Sequence, residues 1–484
     1  MMQSMSQLLS GKDGAQEAPS RGGSTWVAVL AACVGQFVVV LDVSVINVAL
    51  PSIRSGLDIG ETGLQWVVNA YVIAFAGFLL LGGRASDLFG RKAVFVFGLG
   101  VFTAASLLGG LAQAPWMLIV ARALQGIGAA VLSPATLAIL TTTFPEGPAR
   151  IKAVAIWTAV GTGGGAAGGL IGGLLTDYLS WRWVLLINVP LGLVVIVATV
   201  AWLAESRSDQ AHRRRLDLPG AVLVTLGVGS LAYGISQSEG HGWGSPRTLT
   251  FLIVGVVALL AFVAVEQRTR EPLMPLGVFR VRSVSAANAI TIVSGMGFYA
   301  MWYFLSLYMQ NVLKYSAVQT GLALLPHTAT IILSAQFAPR LMRWIKGRTL
   351  LVIAGLLTAA GFIWQGNMDA DGSFLATLLG PGIVFSFGAG LMMTLLAVSA
   401  TTGVELSESG LVAGLANTSR TMGGALGLSV LASVAARRTA DVGPGAEGLA
   451  SGYGRAFVVS GAIILVSMLM IPFLPKPQPQ TPAE

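Results

Sequence analysis

GGRASDLFGRK, Gly82 to Lys92, separates two apolar runs that carry no charge, Thr62 to Leu81 before it and Ala93 to Leu111 after it. One acid (Asp87), three cations (Arg84, Arg91, Lys92) and three glycines (Gly82, Gly83, Gly90) therefore fall where two membrane-length segments reverse direction. A charged turn of this kind belongs in water at a membrane surface. Composition agrees with that reading. Hydrophobic residues make up 54% of the chain and charged ones only 10%, whereas soluble domains run near a quarter charged. With a mean hydropathy of +0.76, an all-α polytopic membrane protein is expected.

Working outward from the turn, apolar segments of about 17 to 28 residues recur, the length that a hydrocarbon core of roughly 30 Å demands of a helix. Fourteen are expected. The first six are Trp26 to Leu50, Thr62 to Leu81, Ala93 to Leu111, Trp116 to Thr143, Val154 to Leu175 and Val184 to Leu203. Two more, Leu218 to Ile235 and Leu249 to Val265, lie between basic linkers. The last six are Val284 to Leu307, Ala317 to Phe337, a short Leu350 to Ile363, Phe374 to Thr402, Leu411 to Ala435 and Ala456 to Leu474. Residues 1–24 and 476–484 read as polar tails, the first of them disordered. The expected organisation is a six-helix half over 25–205, an inserted helix pair with its linkers over 206–282, and a second six-helix half over 283–475.

Weak internal repetition supports two halves. Thr62-Gly63-Leu64 recurs as Thr320-Gly321-Leu322 at an offset of 258, and Gly165 and Gly169 recur as Gly423 and Gly427 at the same offset. Gly90-Arg91 recurs as Gly347-Arg348 at an offset of 257, but nothing there matches Asp87.

The formal charge is +8, yet the basic residues sit in short clusters between apolar runs, which fits membrane topology rather than nucleic acid. If both termini are cytoplasmic, 20 of the 29 Lys and Arg residues fall on the inner side and 7 on the outer, so both termini are expected inside. Arg122 and Arg420 lie within helices, Arg420 close to the inner surface, where it either snorkels or pairs with Glu405 or Glu408. The lone Cys33 and three scattered histidines give no disulfide, no metal site and no cofactor site; His327 reads as a packing residue. No phosphate-binding loop and no nucleophile–base set is present, which argues against ATP as the energy source and against an enzyme.

Ionisable side chains at membrane depth are costly, and each is a functional candidate. Asp42 lies about eight residues from the outer end of the first segment and Arg122 about six into the fourth, both roughly 10 Å deep at 1.5 Å per residue. They meet if the two helices are neighbours, and an acid whose distance from a cation alters with conformation can take up and release a proton. A static buried ion pair is the alternative. In the fifth segment Gly164, Gly168 and Gly172 form a smooth stripe, with Gly173 beside it, for close helix contact or for a sliding surface. Trp66, Asn69, Tyr71, Phe298, Tyr299, Trp302 and Tyr303 are candidates for a substrate cavity, although Trp and Tyr also mark membrane interfaces.

Several stretches resemble one family. GRASDLFGRK fits the pattern G-x-x-x-D-x-x-G-R-K between the second and third helices of the major facilitator superfamily. LDVSVINVALP (Leu41 to Pro51), LIVARALQGIGAA (Leu118 to Ala130), WRWVLLINVPLG (Trp181 to Gly192) and GLVAGLANTSRTMGGALG (Gly410 to Gly427) are similar to motifs of its fourteen-helix drug:proton antiporters, the QacA- and EmrB-like multidrug exporters. Where that group has G-P-x-x-G-G in the fifth helix, this chain has glycine at 169 in place of proline. The resemblance implies proton-coupled export of a small amphipathic molecule from the plasma membrane by alternating access, in a monomer. It further implies that Asp87 holds an inner gate by touching a neighbouring helix terminus. Gly83 and Gly90 shape that hairpin, and Arg91 and Lys92 anchor it. An uptake symporter and a non-transporting sensor are the competing expectations.

Overall fold

A computed structural model of the chain describes residues 22–144, 147–203, 216–269, 272–402, 404 and 409–475. Most of both expected tails, the basic residues over 204–215, and Glu405 and Glu408 lie outside the described residues, as does the side chain of Asp87. The architecture is helical throughout the described residues. The first helices are α1 (Gly22–Leu57), α2 (Glu61–Phe89), α3 (Arg91–Gly110), α4 (Pro115–Thr143), α5 (Pro148–Tyr178) and α6 (Trp183–Trp202), the last broken for one residue at Ile187. An inserted pair follows, α7 (Leu218–His241) and α8 (Pro246–Arg268). The remainder are α9 (Arg282–Leu307), α10 (Ala317–Leu341), α11 (Gly347–Gln365), α12 (Gly380–Thr401), α13 (Ser409–Val442) and α14 (Ala446–Met468).

Thirteen of these helices are long and apolar enough to cross a membrane. The fourteenth, α13, is less apolar because it carries Thr418, Ser419, Thr421, Ser429 and Ser433, all of which are buried in the bundle. The opposite arrangement holds in α8, whose Ile253, Val257 and Leu260 are each at least 57% exposed. Polar atoms packed inward and apolar chains turned outward are what a lipid solvent selects.

The charged turn is tighter than the sequence suggests. Helix α2 runs through Phe89 and α3 starts at Arg91, so only Gly90 interrupts the two, with φ 92° in the left-handed region that glycine tolerates. Arg84 therefore lies within α2 and Arg91 and Lys92 within the first turn of α3, rather than in a loop between them. Gly82 lies inside α2, where a Cβ would stand 2.2 Å from the Ala130 carbonyl of α4; a side chain here would part the two helices. Gly83 has room, with Pro134 at 3.8 Å. On the next turn Lys92 donates to the carbonyls of Leu203 (2.6 Å) and Val200 (3.0 Å), placing a cation at the C-terminal end of α6, where the helix dipole favours it.

Helix α1 packs on α5, α4 and α6, and α4 on α2 and α3; in the same way α9 packs on α13, α14 and α12, and α11 on α12 and α14. Glycines make the paired contacts α1·α5 and α9·α13 equivalent. Gly423 and Gly427 stand over Ile292 and Met296 of α9 as Gly164 and Gly168 stand over α1, an offset one residue longer than sequence comparison suggests. Two seams join these groups. One is α5 against α10; the other is α2 against α13, with α7 of the inserted pair packed on both of its members. The base of the inserted pair is held by polar groups: Asp217 caps α7 through Gly220 N (2.9 Å), and Glu266 at the end of α8 accepts from Met274 N (3.0 Å).

Candidate functional site

Asp42 lies midway along α1 with no solvent exposure, and Arg122 of α4 is 1% exposed. Helices α1 and α4 are neighbours, and the two side chains meet: Arg122 Nη1 stands 2.5 Å from Asp42 Oδ2. Burial of both charges is tolerable only if the remaining lone pairs and N–H groups find partners. They do. Gln125, one turn along α4 from Arg122, donates to Asp42 Oδ1 at 2.7 Å and accepts from Arg122 Nη1 at 2.7 Å. Asn188 of α6 donates to Asp42 Oδ1 at 3.1 Å. Ser106 of α3 accepts from Gln125 at 2.7 Å, and Arg122 Nε donates to the Val67 carbonyl of α2 at 3.1 Å. The guanidinium carbon also lies 4.3 Å from the centre of the Tyr71 ring. Groups from α4 and α6 thus meet the carboxylate on α1, and α2 and α3 hold the groups that meet it.

The WRWVLLINVPLG stretch brings Asn188 there. Arg182 stacks on Trp181 at 4.3 Å and donates to the Ala112 carbonyl at the end of α3 at 2.8 Å, which fixes the start of α6. The break at Ile187 then lets Asn188 begin a new helical segment facing Asp42.

The glycine motif of α5 serves two helices rather than one. A Cβ on Gly164 would lie 2.9 Å from the Phe37 carbonyl, on Gly168 2.4 Å from Ser44 Cβ, and on Gly172 2.9 Å from Val45 Cα, all in α1. Gly173 and Gly169 turn the other way, where a Cβ would lie 2.6 Å from the Ala317 carbonyl and 3.4 Å from Gly321 of α10. At the end of this seam the Asp177 carboxylate accepts from the backbone N–H groups of Ala317 (3.2 Å) and Val318 (3.0 Å), the first turn of α10. Nearby, Ser306 donates to Asn47 O (2.7 Å) and Gln310, in the π turn that ends α9, donates to Val48 O (2.8 Å). These bonds close the end of the bundle opposite the charged turn. Asp177→Asn removes a charge from a helix N-terminus worth about 0.3–1 kcal/mol. Spin labels at Tyr178 and Leu322 are expected to show the longer-separation population growing roughly two- to fivefold; an unchanged distance distribution would remove Asp177 from the closure.

The seven aromatic and amide candidates do not form one cavity. Phe298 lines a cavity of about 490 Å³ between α9, α12 and α13. Tyr303 lines another of about 390 Å³ at the closed end, with Glu61 and Tyr453. Tyr71 belongs to the Arg122 network, and Asn69 donates to Ser429 of α13 at 2.9 Å across the second seam. Trp66 packs on Tyr233 of α7 with ring centres 5.5 Å apart. Tyr299 lies under Gly424, and Trp302 packs half-buried against the central core. His327 is a buried packing residue against Phe385, its Nδ1 near the Ala323 carbonyl at 3.2 Å. Arg420 lines the cavity that holds Phe298, and its expected partners Glu405 and Glu408 lie outside the described residues.

Residues 32–428 match the family model described as Major Facilitator Superfamily. The chain belongs to that superfamily. It is 45% identical to the cephamycin export protein CmcT of Amycolatopsis lactamdurans over 96% of this chain and 95% of that one. It is 38% identical to the puromycin resistance protein pur8 of Streptomyces alboniger, over 92% and 90% of the two chains. Among solved structures, an auto-inhibited POT family peptide transporter superposes with a TM-score of 0.67 at 17% identity, covering 96% of this chain and 99% of that one, a likeness of fold alone. As a superfamily member the chain is a multi-pass membrane transporter and not an enzyme.

Sequence reading found Asp42 and Arg122 but missed Gln125, Ser106 and Asn188. One signal was available for Gln125: three residues from Arg122 on a helix, it shares the same face. For Ser106 and Asn188 no signal existed without knowing which helices touch.

Proposed function

We propose that the protein is a proton-coupled exporter of small amphipathic antibiotics or drugs, working by alternating access as a monomer in the plasma membrane. The carrying observation is the buried Asp42–Arg122–Gln125 network, set in a chain whose relatives over nearly their full length are named for cephamycin export and puromycin resistance. A single carboxylate held by a cation and two amides from separate helices can accept a proton only if those helices part, so proton binding and helix movement are linked. In this reading residues 25–205 and 283–475 are the moving halves, and 206–282 supply the linkers and inserted pair.

Both termini and the turn at Gly90 face the cytoplasm, so the arrangement closed by Asp177, Ser306 and Gln310 is an inward-facing state. The turn, with Asp87, Arg91 and Lys92, forms the inner gate on closure at that end, and the glycine-lined contacts of α5 are the surfaces that slide. Everted vesicles presented on their outer side with a panel of amphipathic compounds test the proposal. Export predicts uptake into vesicles with an acidic interior, collapsing when the gradient is dissipated; uptake indifferent to the gradient throughout would overturn proton coupling.

A further inference from the structure

Arg420 is the one charged side chain among those lining the cavity of about 490 Å³ between α9, α12 and α13. It makes one hydrogen bond, from Nη2 to Asn417 Oδ1 at 2.8 Å, and has no ion-pair partner among the described residues. A guanidinium carries five N–H donors in a flat fork that matches a carboxylate, so most of its capacity is unspent. Thr291 and Ser294 of α9 and Asn417 of α13 also line it, while Phe298, Met393 and Leu396 are among its apolar residues. Asp42, the acid that could attract a cationic compound, is fully buried and bonded on both oxygens, and it does not line this cavity.

We propose that Arg420 selects the substrate: the transported molecule is an amphipathic monocarboxylate whose acid group pairs with Arg420 and whose apolar body lies against Phe298 and Leu396. This rests on the export reading above. One cation with no ion-pair partner among the described residues calls for one negative charge; a dianion would leave charge uncompensated in a low-dielectric wall, and an organic cation would be repelled. The volume suits a ligand of drug size. Helix topology places the cavity toward the end of the bundle that holds the Gly90 turn, since Thr401 at the end of α12 and Ala413 near the start of α13 both line it. An anion loaded there is driven outward by an inside-negative potential, which adds to the proton gradient.

Three probes of one fluorophore test this in the full-length protein: N-dansyl-6-aminohexanoate, its methyl ester and dansylcadaverine. Both transport in everted vesicles and equilibrium binding to the purified protein are measured. The wild type is expected to prefer the carboxylate over the ester by about tenfold or more, and Arg420→Gln to lose about 10- to 100-fold for the carboxylate while leaving the ester unchanged. Arg420→Lys, which keeps the charge but not the fork, should fall between, and ester transport in each variant reports that the chain has folded. Transport without charge preference, or equal losses for all three probes in Arg420→Gln, would overturn the inference and leave export standing. Carboxylate-selective, Arg420-dependent binding with no transport would uphold the inference and remove the export reading.

Discussion

Arg122→Leu is expected to destabilise the protein by about 3–5 kcal/mol, because it strands the Asp42 carboxylate at the centre of the bundle without its cation. Asp42 has no solvent exposure, so water cannot replace the guanidinium, and the donors that remain, Gln125 and Asn188, are neutral amides. The loss should appear as a fall in the melting temperature of the purified protein in detergent. Adding Asp42→Asn on the same chain should restore most of it, since the neutral amide removes the stranded charge; the shortfall measures how much the pair contributes beyond mutual neutralisation. Transport should stay absent in the double variant even where folding recovers. Arg122→Leu melting with the wild type, or a double variant no more stable than the single one, would mean that the network is not held as described.

Gly168→Leu is expected to abolish transport and to cost about 1–3 kcal/mol, the range for forcing extra carbons into a packed interior. A Cβ alone would lie 2.4 Å from Ser44 Cβ and 3.2 Å from the Leu41 carbonyl, so α1 must retreat along the stretch that carries Asp42. The same movement would stretch the 2.8 Å bond from Ser44 Oγ to the Gly165 carbonyl. Gly163→Leu is the matched control, since nothing lies within 4 Å of its Cβ position and the residue faces outward. It should transport and melt like the wild type. Equal behaviour of the two variants would show that the α1·α5 contact tolerates separation.

Much of the fold could be read from the chain because a bilayer imposes a simple rule: helices must be long and apolar, and charges mark their ends. The Gly90 turn follows that rule, as do thirteen of the fourteen helices. Helix α13 is the exception that hydropathy ranks lowest, and its serines and threonines are tolerated because they face protein rather than lipid. The site was legible only where a residue broke the rule. Asp42 and Arg122 stood out as charges in apolar runs, whereas Gln125, Ser106 and Asn188 are neutral groups whose importance depends on which helices are neighbours.

Rotation about a helix axis is the other quantity that sequence distance conceals. Counting residues gives depth along a helix, but not the face. Gly172 and Gly173 are adjacent and serve different partners, α1 and α10. Arg420 lies near enough to one end to reach the surface by length alone, yet its face turns it into the cavity. Trp66 meets Tyr233 because the inserted pair packs against α2, a contact that no periodicity in either segment announces.

The central claim is that Asp42 couples proton binding to movement of the helices around it. Its most direct test is gradient-driven uptake of a transported probe into everted vesicles carrying Asp42→Asn, whose one carbonyl oxygen still accepts from Gln125 and Asn188 while Arg122 keeps Gln125 Oε1 and the Val67 carbonyl as acceptors. Downhill probe exchange, measured alongside, reports that the variant still folds and binds. The account predicts that an acidic interior drives accumulation by the wild type and none by Asp42→Asn, while exchange persists in both. Accumulation by Asp42→Asn at the wild-type level would contradict it.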